Sequence, residues 1–538
     1  MSTDAGPTGR GGWRRWRPVY LVVRSVRRFR RRTGTTQLRT LVTVVAIVAG
    51  VLIYVAASPP SGGGSAAAST AATGGGGASS SLSSASTSTR GISGNTINVV
   101  FPVVSLTSLT GKLGIANDAE YGQQKQAIDF YVGQVNKQGG IHGKKIHAII
   151  ASFTPLNTSQ MRALCKDWTE GSPAAFAVVD GEGTWSETNQ LCITQEGHTP
   201  LLSQWTTVST WTKKGSPYLW WMGPAQTVVL QATVNWGLAT GLLGGTHKVG
   251  VVAGNRASDQ LALKKYLLPD LRRAGVQPVV ETIPAEPTEA SSTDSDAPLV
   301  LQKLKAAGVT SVIPLIPFNV FDPLMGAEKQ QGYYPKLLLS DYEETIESAL
   351  GLIPTPYETA LNGQEGVTTE TLGGVDDPRP ESKGGYDPGL RDCYTPWHKA
   401  YPQPVGKPQT YTLKETGPTG QEQVHHIVTK PSSYIEEQGP VQAWCTAIRL
   451  FATAARNAGP DLNRRTFVEG MAKIKNFPGG SSPVLSYGPD KFYGPTKFQV
   501  VELHNNTPVS SACDTLSTGN PQGTCWVTKQ GWEPLPTA

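Results

Sequence analysis

The chain has 538 residues, more than one domain's worth, and a net charge of +6 that is not spread evenly. Residues 1–40 hold eleven arginines against one aspartate, so the basic surplus is a tail and everything after it is mildly acidic. The folded part has no cationic excess with which to coat nucleic acid, and no nucleic-acid partner is expected.

The tail runs Trp13-Arg-Arg-Trp-Arg17 and Arg27-Arg-Phe-Arg-Arg-Arg32. Such arginine with interleaved aromatics could suit phosphate and base stacking, but Leu41 to Ala57 follows without a single charge, near the lower length limit for crossing a bilayer. Arginines precede it and none follows until Arg90, the bias expected when the preceding side is cytoplasmic. Residues 1–40 therefore read as a basic cytoplasmic tail facing anionic lipid, and 41–57 as a transmembrane or signal-anchor helix. The binding domain would then be extracellular, or secreted if the chain is cleaved near Ala57. Residues 58–91, nearly all glycine, serine, alanine and threonine, read as a linker.

From Thr96 strands and helices alternate. Thr96 to Val104 is β-branched and apolar, a buried parallel strand, and Ala119 to Gln138 carries an apolar stripe through Tyr121, Ile128, Tyr131, Val132 and Val135. Gly139-Gly140 stops that helix, and Ile141 to Ile150 forms the next strand. The alternation continues to Ser340: strands at Ala174–Val179, Thr199–Ser203, Tyr218–Met222, His247–Ala253, Pro278–Ile283, Ser311–Ile316 and Lys336–Ser340 have helices between most of them, at 186–196, 227–243, 258–274, 299–307 and 320–331. That is too many strands for one sheet. The fold class is α/β, two doubly wound parallel-sheet lobes joined by a multi-strand hinge: 92–218 with 366–455 as the first, 222–350 with 460–506 as the second. Residues 376–438 read as an insertion with little regular structure, and 507–538 as an irregular C-terminal extension.

All six cysteines follow the apolar segment, as in a disulfide-bonded extracytoplasmic protein. Proximity favours Cys165–Cys192 and Cys513–Cys525, leaving Cys393–Cys445. No cysteine or histidine spacing suggests a metal, and His425-His426 has no acid at ligand spacing. No zinc-protease, P-loop or nucleophile-elbow motif occurs in the globular part, so neither an enzyme nor a cofactor is expected.

In parallel sheets ligands bind beyond the carboxyl ends of strands. The first lobe there offers Ser105-Leu-Thr107, Gly181 to Trp185 and Gln204-Trp-Thr206; the second offers Gly254 to Ser258, Pro317-Phe-Asn319 and Asp341-Tyr342. Thr184 opens a helix and could hold a carboxylate or merely cap that helix. Trp185 and Trp205 could stack on a ligand or pack at the rim.

Glu120-Tyr-Gly122 followed by Gly139-Gly-Ile-His-Gly-Lys-Lys-Ile146 resembles the first unit of the type I periplasmic binding proteins, in the leucine/isoleucine/valine-binding branch, and the order of elements continues the likeness over most of 92–505. The resemblance implies hinge closure around a small amino-acid-like ligand, for an ABC-type importer and its permease. A membrane-anchored sensor without transport is the alternative. It further implies a ligand carboxylate held by Thr184 and by Gln204, Trp205 and Thr206, an aromatic contact from Phe318, and an ammonium paired with Asp341. Where the family often has an acid and a tyrosine after the strand His247–Ala253, this chain has Gly254 and Ser258, and it lacks the family's frequent lipid-bearing cysteine.

Overall fold

A computed structural model describes residues 81–104, 121–153, 158–181, 187–286, 289–342, 346, 361–370, 388–401, 410–416, 422–428, 435–480, 482–504 and 525–536. Leu41–Ala57 lies outside them; among the described residues no helix is long and apolar enough to cross a membrane.

In lobe one a short strand β1 (Ile92–Ser93) folds back on β2 (Thr96–Val104), the centre of the sheet. β2 runs parallel to β3 (Lys145–Phe153) along its whole length, and to β4 (Ala177–Asp180) on its other side. β5 (Leu201–Ser203) and β6 (Leu219–Trp221) extend the sheet in the order β3-β2-β4-β5-β6. Helices α1 (Tyr121–Lys137), α2 (Thr158–Glu170), α3 (Glu187–Leu191, continued as a π segment Cys192–Glu196) and α4 (Ser209–Gly215) connect these strands. Ile97, Val99, Val100, Phe101 and Val103 are buried, as a strand covered on both faces requires. The stripe on α1 is buried as its periodicity predicts for Ile128, Tyr131, Val132 and Val135.

The chain crosses to lobe two along α5 (Gln226–Ala239) and repeats the plan. β7 (Val249–Gly254), β8 (Val279–Ile283), β9 (Ser311–Leu315), β10 (Lys336–Ser340) and β11 (Glu365–Thr368) form a parallel run in the order β8-β7-β9-β10-β11. Its helices are α6 (Ala257–Leu261, a π segment Ala262–Leu267, then Leu268–Arg273), α7 (Ala290–Ala306) and α8 (Phe318–Gln331). α7 starts well before the predicted Leu299: Pro298 lies inside it, a residue that ordinarily breaks a helix interior. Both sheets share the second-first-third-fourth-fifth strand order, so the connection direction reverses between β2 and β4 and between β7 and β9. That reversal opens a crevice at the strands' carboxyl ends.

Four expectations are corrected. Residues 376–438 are not devoid of regular structure: α9 (Pro388–Ala400) sits in lobe one, its Leu390, Tyr394 and Trp397 in the core, and β12 (Thr410–Thr416) pairs with β13 (Glu422–Val428), the strand that carries His425 and His426. After α10 (Ile435–Asn457), helix α11 (Arg464–Ala472) belongs to lobe one, because Phe467, Val468 and Met471 join the core built on Trp444 and Phe101. Lobe two regains the chain only at β14 (Lys497–His504), antiparallel to β11. The C-terminal extension holds β15 (Cys525–Pro534), which pairs with β14 through a register irregularity.

The last correction concerns the linker, whose final residues belong to the fold. Leu82 and Ala85 are buried, Ser86 N–H donates to Tyr218 Oη at 2.6 Å, and Arg465 Nε donates to Ala85 O at 2.9 Å. Gly91, at φ +88°, runs so close to Phe176 that a Cβ would stand 2.0 Å from its backbone nitrogen. The disulfides Cys165–Cys192 and Cys393–Cys445 are both formed; the Cys513–Cys525 pairing lies outside the described residues.

Candidate functional site

At the tip of lobe one Asp180 ends β4 and Ser203 ends β5, both buried, with Ser203 Oγ 3.1 Å from Asp180 Oδ2. Gln190 of α3 ties the tip together: its amide nitrogen donates to Ser203 Oγ (3.1 Å) and Trp205 O (3.0 Å), and its carbonyl accepts from Trp221 Nε1 (3.3 Å). Trp205 is only 6% exposed, so its ring is part of the tip and not a platform open to solvent. Gln204 is half-buried and reaches Glu370 Oε1 at 3.3 Å. Ser105, Thr184 and Trp185 lie outside the described residues.

At the tip of lobe two the chemistry is ionic. Arg256 grips Asp259 with two hydrogen bonds of 2.8 Å, and Tyr342 Oη donates to the same carboxylate at 2.8 Å. Asp259 is completely buried. Its carboxylate also explains the glycine that ends β7: a Cβ on Gly254 would stand 2.1 Å from Asp259 Oδ2. Sequence reasoning missed this pair, whose one signal was an arginine and an aspartate three residues apart at a helix start. Asn319 donates to Ala285 O at 3.2 Å; Phe318 opens α8, and its side chain lies outside the described residues.

Gln226, the first residue of α5, joins the two tips. Its amide nitrogen donates to Thr206 Oγ1 of lobe one (2.7 Å) and to Asp341 O of lobe two (3.1 Å). Asp341 Oδ2 accepts from Thr369 N–H (2.6 Å) and Thr369 Oγ1 (2.8 Å), and Ser482 Oγ donates to Thr369 O (2.7 Å). Burial pushes the Asp341 carboxyl up to about 6 against the opposing pull of the Thr368 and Thr369 hydrogen bonds. The other oxygen, Asp341 Oδ1, is buried without a hydrogen-bond partner among the described residues, and so are Gln226 Oε1, Thr207 Oγ1 and Ser258 Oγ. Buried polar atoms are normally paired; these four lie at the strand and helix tips of both lobes. No cluster of metal-ligating side chains occurs among the described residues.

The family model for periplasmic binding proteins matches residues 102–363. The fold is similar to that of a fatty acid ABC transporter substrate-binding protein from Thermomonospora curvata (TM-score 0.54, 15% identity, 82% of this chain and 93% of that one). It is similar too to a solute-binding protein of an ABC transporter from Rhodopseudomonas palustris BisB5 in complex with 3,4-dihydroxybenzoic acid (0.55, 14%, 82% and 99%). A branched-chain amino acid ABC transporter structure from Thermus thermophilus with bound valine is a third likeness (0.52, 12%, 82% and 97%). No curated protein matches the chain. The family match and the shared fold confirm the resemblance read from Glu120 to Ile146.

Proposed function

Since residues 102–363 match the periplasmic binding proteins and the described chain has their type I fold, we propose that it captures a small amino-acid-like solute between its lobes by hinge closure, as the binding component of an ABC-type importer. The observation that carries this reading is the set of unpartnered polar atoms around Gln226, one of them a carboxylate oxygen, between the tips of β5 and β10. Asp341 Oδ1 is the acceptor for the ligand's ammonium; Oδ2 is already held by Thr369. Thr184, Gln204 and Thr206 take the carboxylate, and Ser105, Trp185, Trp205 and Phe318 shape the remainder of the cleft. The ligands named for the similar structures, a fatty acid, a dihydroxybenzoic acid and valine, share a carboxylic acid, which supports the assignment of that end. Leu41–Ala57 tethers the binding domain outside the cytoplasm, next to a permease.

A thermal-shift series on the full-length protein tests this with amino acids, their amides, aromatic acids and fatty acids. Ligand that binds only the folded state raises the midpoint as RT ln(1 + [L]/Kd). An amino acid should raise it, and Asp341→Asn, which keeps an acceptor for Thr369 but removes the charge, should abolish the rise while the protein stays folded. An equal rise in the variant removes Asp341 from the site, and no rise with any carboxylate defeats the reading.

A further inference from the structure

The chain returns from lobe one to lobe two through residues 473–496, between α11 and β14. Part of that crossing closes into a loop around one side chain. The Lys491 ammonium donates to four backbone carbonyls, those of Tyr493 (2.6 Å), Ser486 (2.7 Å), Gly494 (3.1 Å) and Pro495 (3.2 Å). Its own backbone turns back on Gly488: Gly488 N–H donates to Lys491 O at 3.1 Å, and Lys491 N–H to Gly488 O at 3.2 Å. Ser486 N–H donates to Gly494 O at 2.8 Å and closes the loop at its neck. An ammonium has only three protons to give. Four carbonyls therefore surround it as they would a bare monovalent cation, held by its charge more than by paired hydrogen bonds.

The same loop holds the first crossing, residues 222–225, which joins β6 to α5. Trp221, the last residue of β6, donates its N–H to Phe492 O at 2.8 Å. Its carbonyl accepts from Gly494 N–H (3.0 Å) and from Tyr487 Oη (3.1 Å). A Cβ on Gly494 would stand 3.1 Å from Met222 O, so the two crossings touch there. From Trp221 the contacts reach the cleft by two routes. Its indole Nε1 donates to Gln190 Oε1, on the residue that ties the tip of lobe one. Its chain runs on through 222–225 to Gln226, which joins Thr206 of one tip to Asp341 of the other. Lys491, by contrast, donates only to carbonyls of its own loop.

We propose that Lys491 is a positioning residue for the cleft: its caged ammonium locks the last crossing onto the first, and so fixes where Gln190 and Gln226 hold the two tips. The effect on a solute rests on the cleft reading above; the lock itself does not. Hydrogen–deuterium exchange of the full-length protein reads the lock with no solute present. Lys491→Ala should speed exchange at the Trp221 and Gly494 amides by about tenfold or more. Ammonium chloride should restore most of that protection, and choline chloride at the same ionic strength, whose cation is too large for the cage, should not. Lys491→Gln keeps an amide donor and should fall between parent and alanine variant; it carries the comparison if the alanine variant does not fold. Unchanged exchange at Trp221, or an equal response to the two salts, overturns the proposal. For a solute that binds the parent, Lys491→Ala should weaken binding by about threefold or more, with recovery in ammonium chloride. Unchanged binding would confine Lys491 to its own loop and also overturn it. If no solute binds the parent, the cleft reading fails, and the exchange result still decides the lock.

Discussion

The two lobes repeat one strand order yet finish their facing tips in opposite ways. Among the described residues, lobe one ends in neutral groups woven by Gln190 around the Asp180 carboxylate. Lobe two ends in a full ion pair, Arg256 on a completely buried Asp259, backed by Tyr342. Lobe two therefore holds the Arg256 and Asp259 charges internally, and among the described residues it leaves Asp341 Oδ1 and Ser258 Oγ without a hydrogen-bond partner. A sheet tip can thus look highly charged in sequence and still present little net charge to a ligand.

Breaking the ionic tip should have the largest effect. Arg256→Ala strands Asp259 in the interior without its partner, and losing one member of a buried pair costs about 3–5 kcal/mol; chemical denaturation should show that drop. The amide network of lobe one is expected to be more forgiving. Gln190→Ala leaves Trp221 Nε1 and Ser203 with fewer partners, a loss of about 1–3 kcal/mol by the same measurement. If the two losses came out equal, the contrast between the tips would be one of appearance only.

The effect at Asp341 depends on pH. Its folded carboxyl is raised to about 6 from 3.8, so the proton it retains stabilises the fold fully below about pH 4, and that contribution is lost as pH climbs through about 6. Asp341→Asn escapes the loss. Its stability relative to the parent should rise by about 3 kcal/mol over that window and stay flat above it. A constant difference across the window would show that the carboxyl does not titrate there.

Much of the architecture was legible because its signals are local. Ile97 to Val103 had to be a covered strand, and Ile128 to Val135 a covered helix face, whatever their neighbours. Asp341 was legible as a strand-tip acid for the same reason. The bond from its carboxylate to Thr369 was not, since it spans 28 residues and depends on β11 lying beside β10. Tyr342 meets Asp259 across 83 residues, which no spacing rule could announce. Pro298 inside α7 and the serine- and alanine-rich residues before Arg90 misled in another way. Composition argued against order there, while packing against the rest of the fold overrode it.

Those last residues before Arg90 also belong to one half of the molecule. Ala85, Ser86 and Ser88 are stitched to Arg465, Tyr218 and Arg464, all in lobe one. The described chain therefore enters the fold through lobe one, and the segment before Arg90 is packed on that lobe.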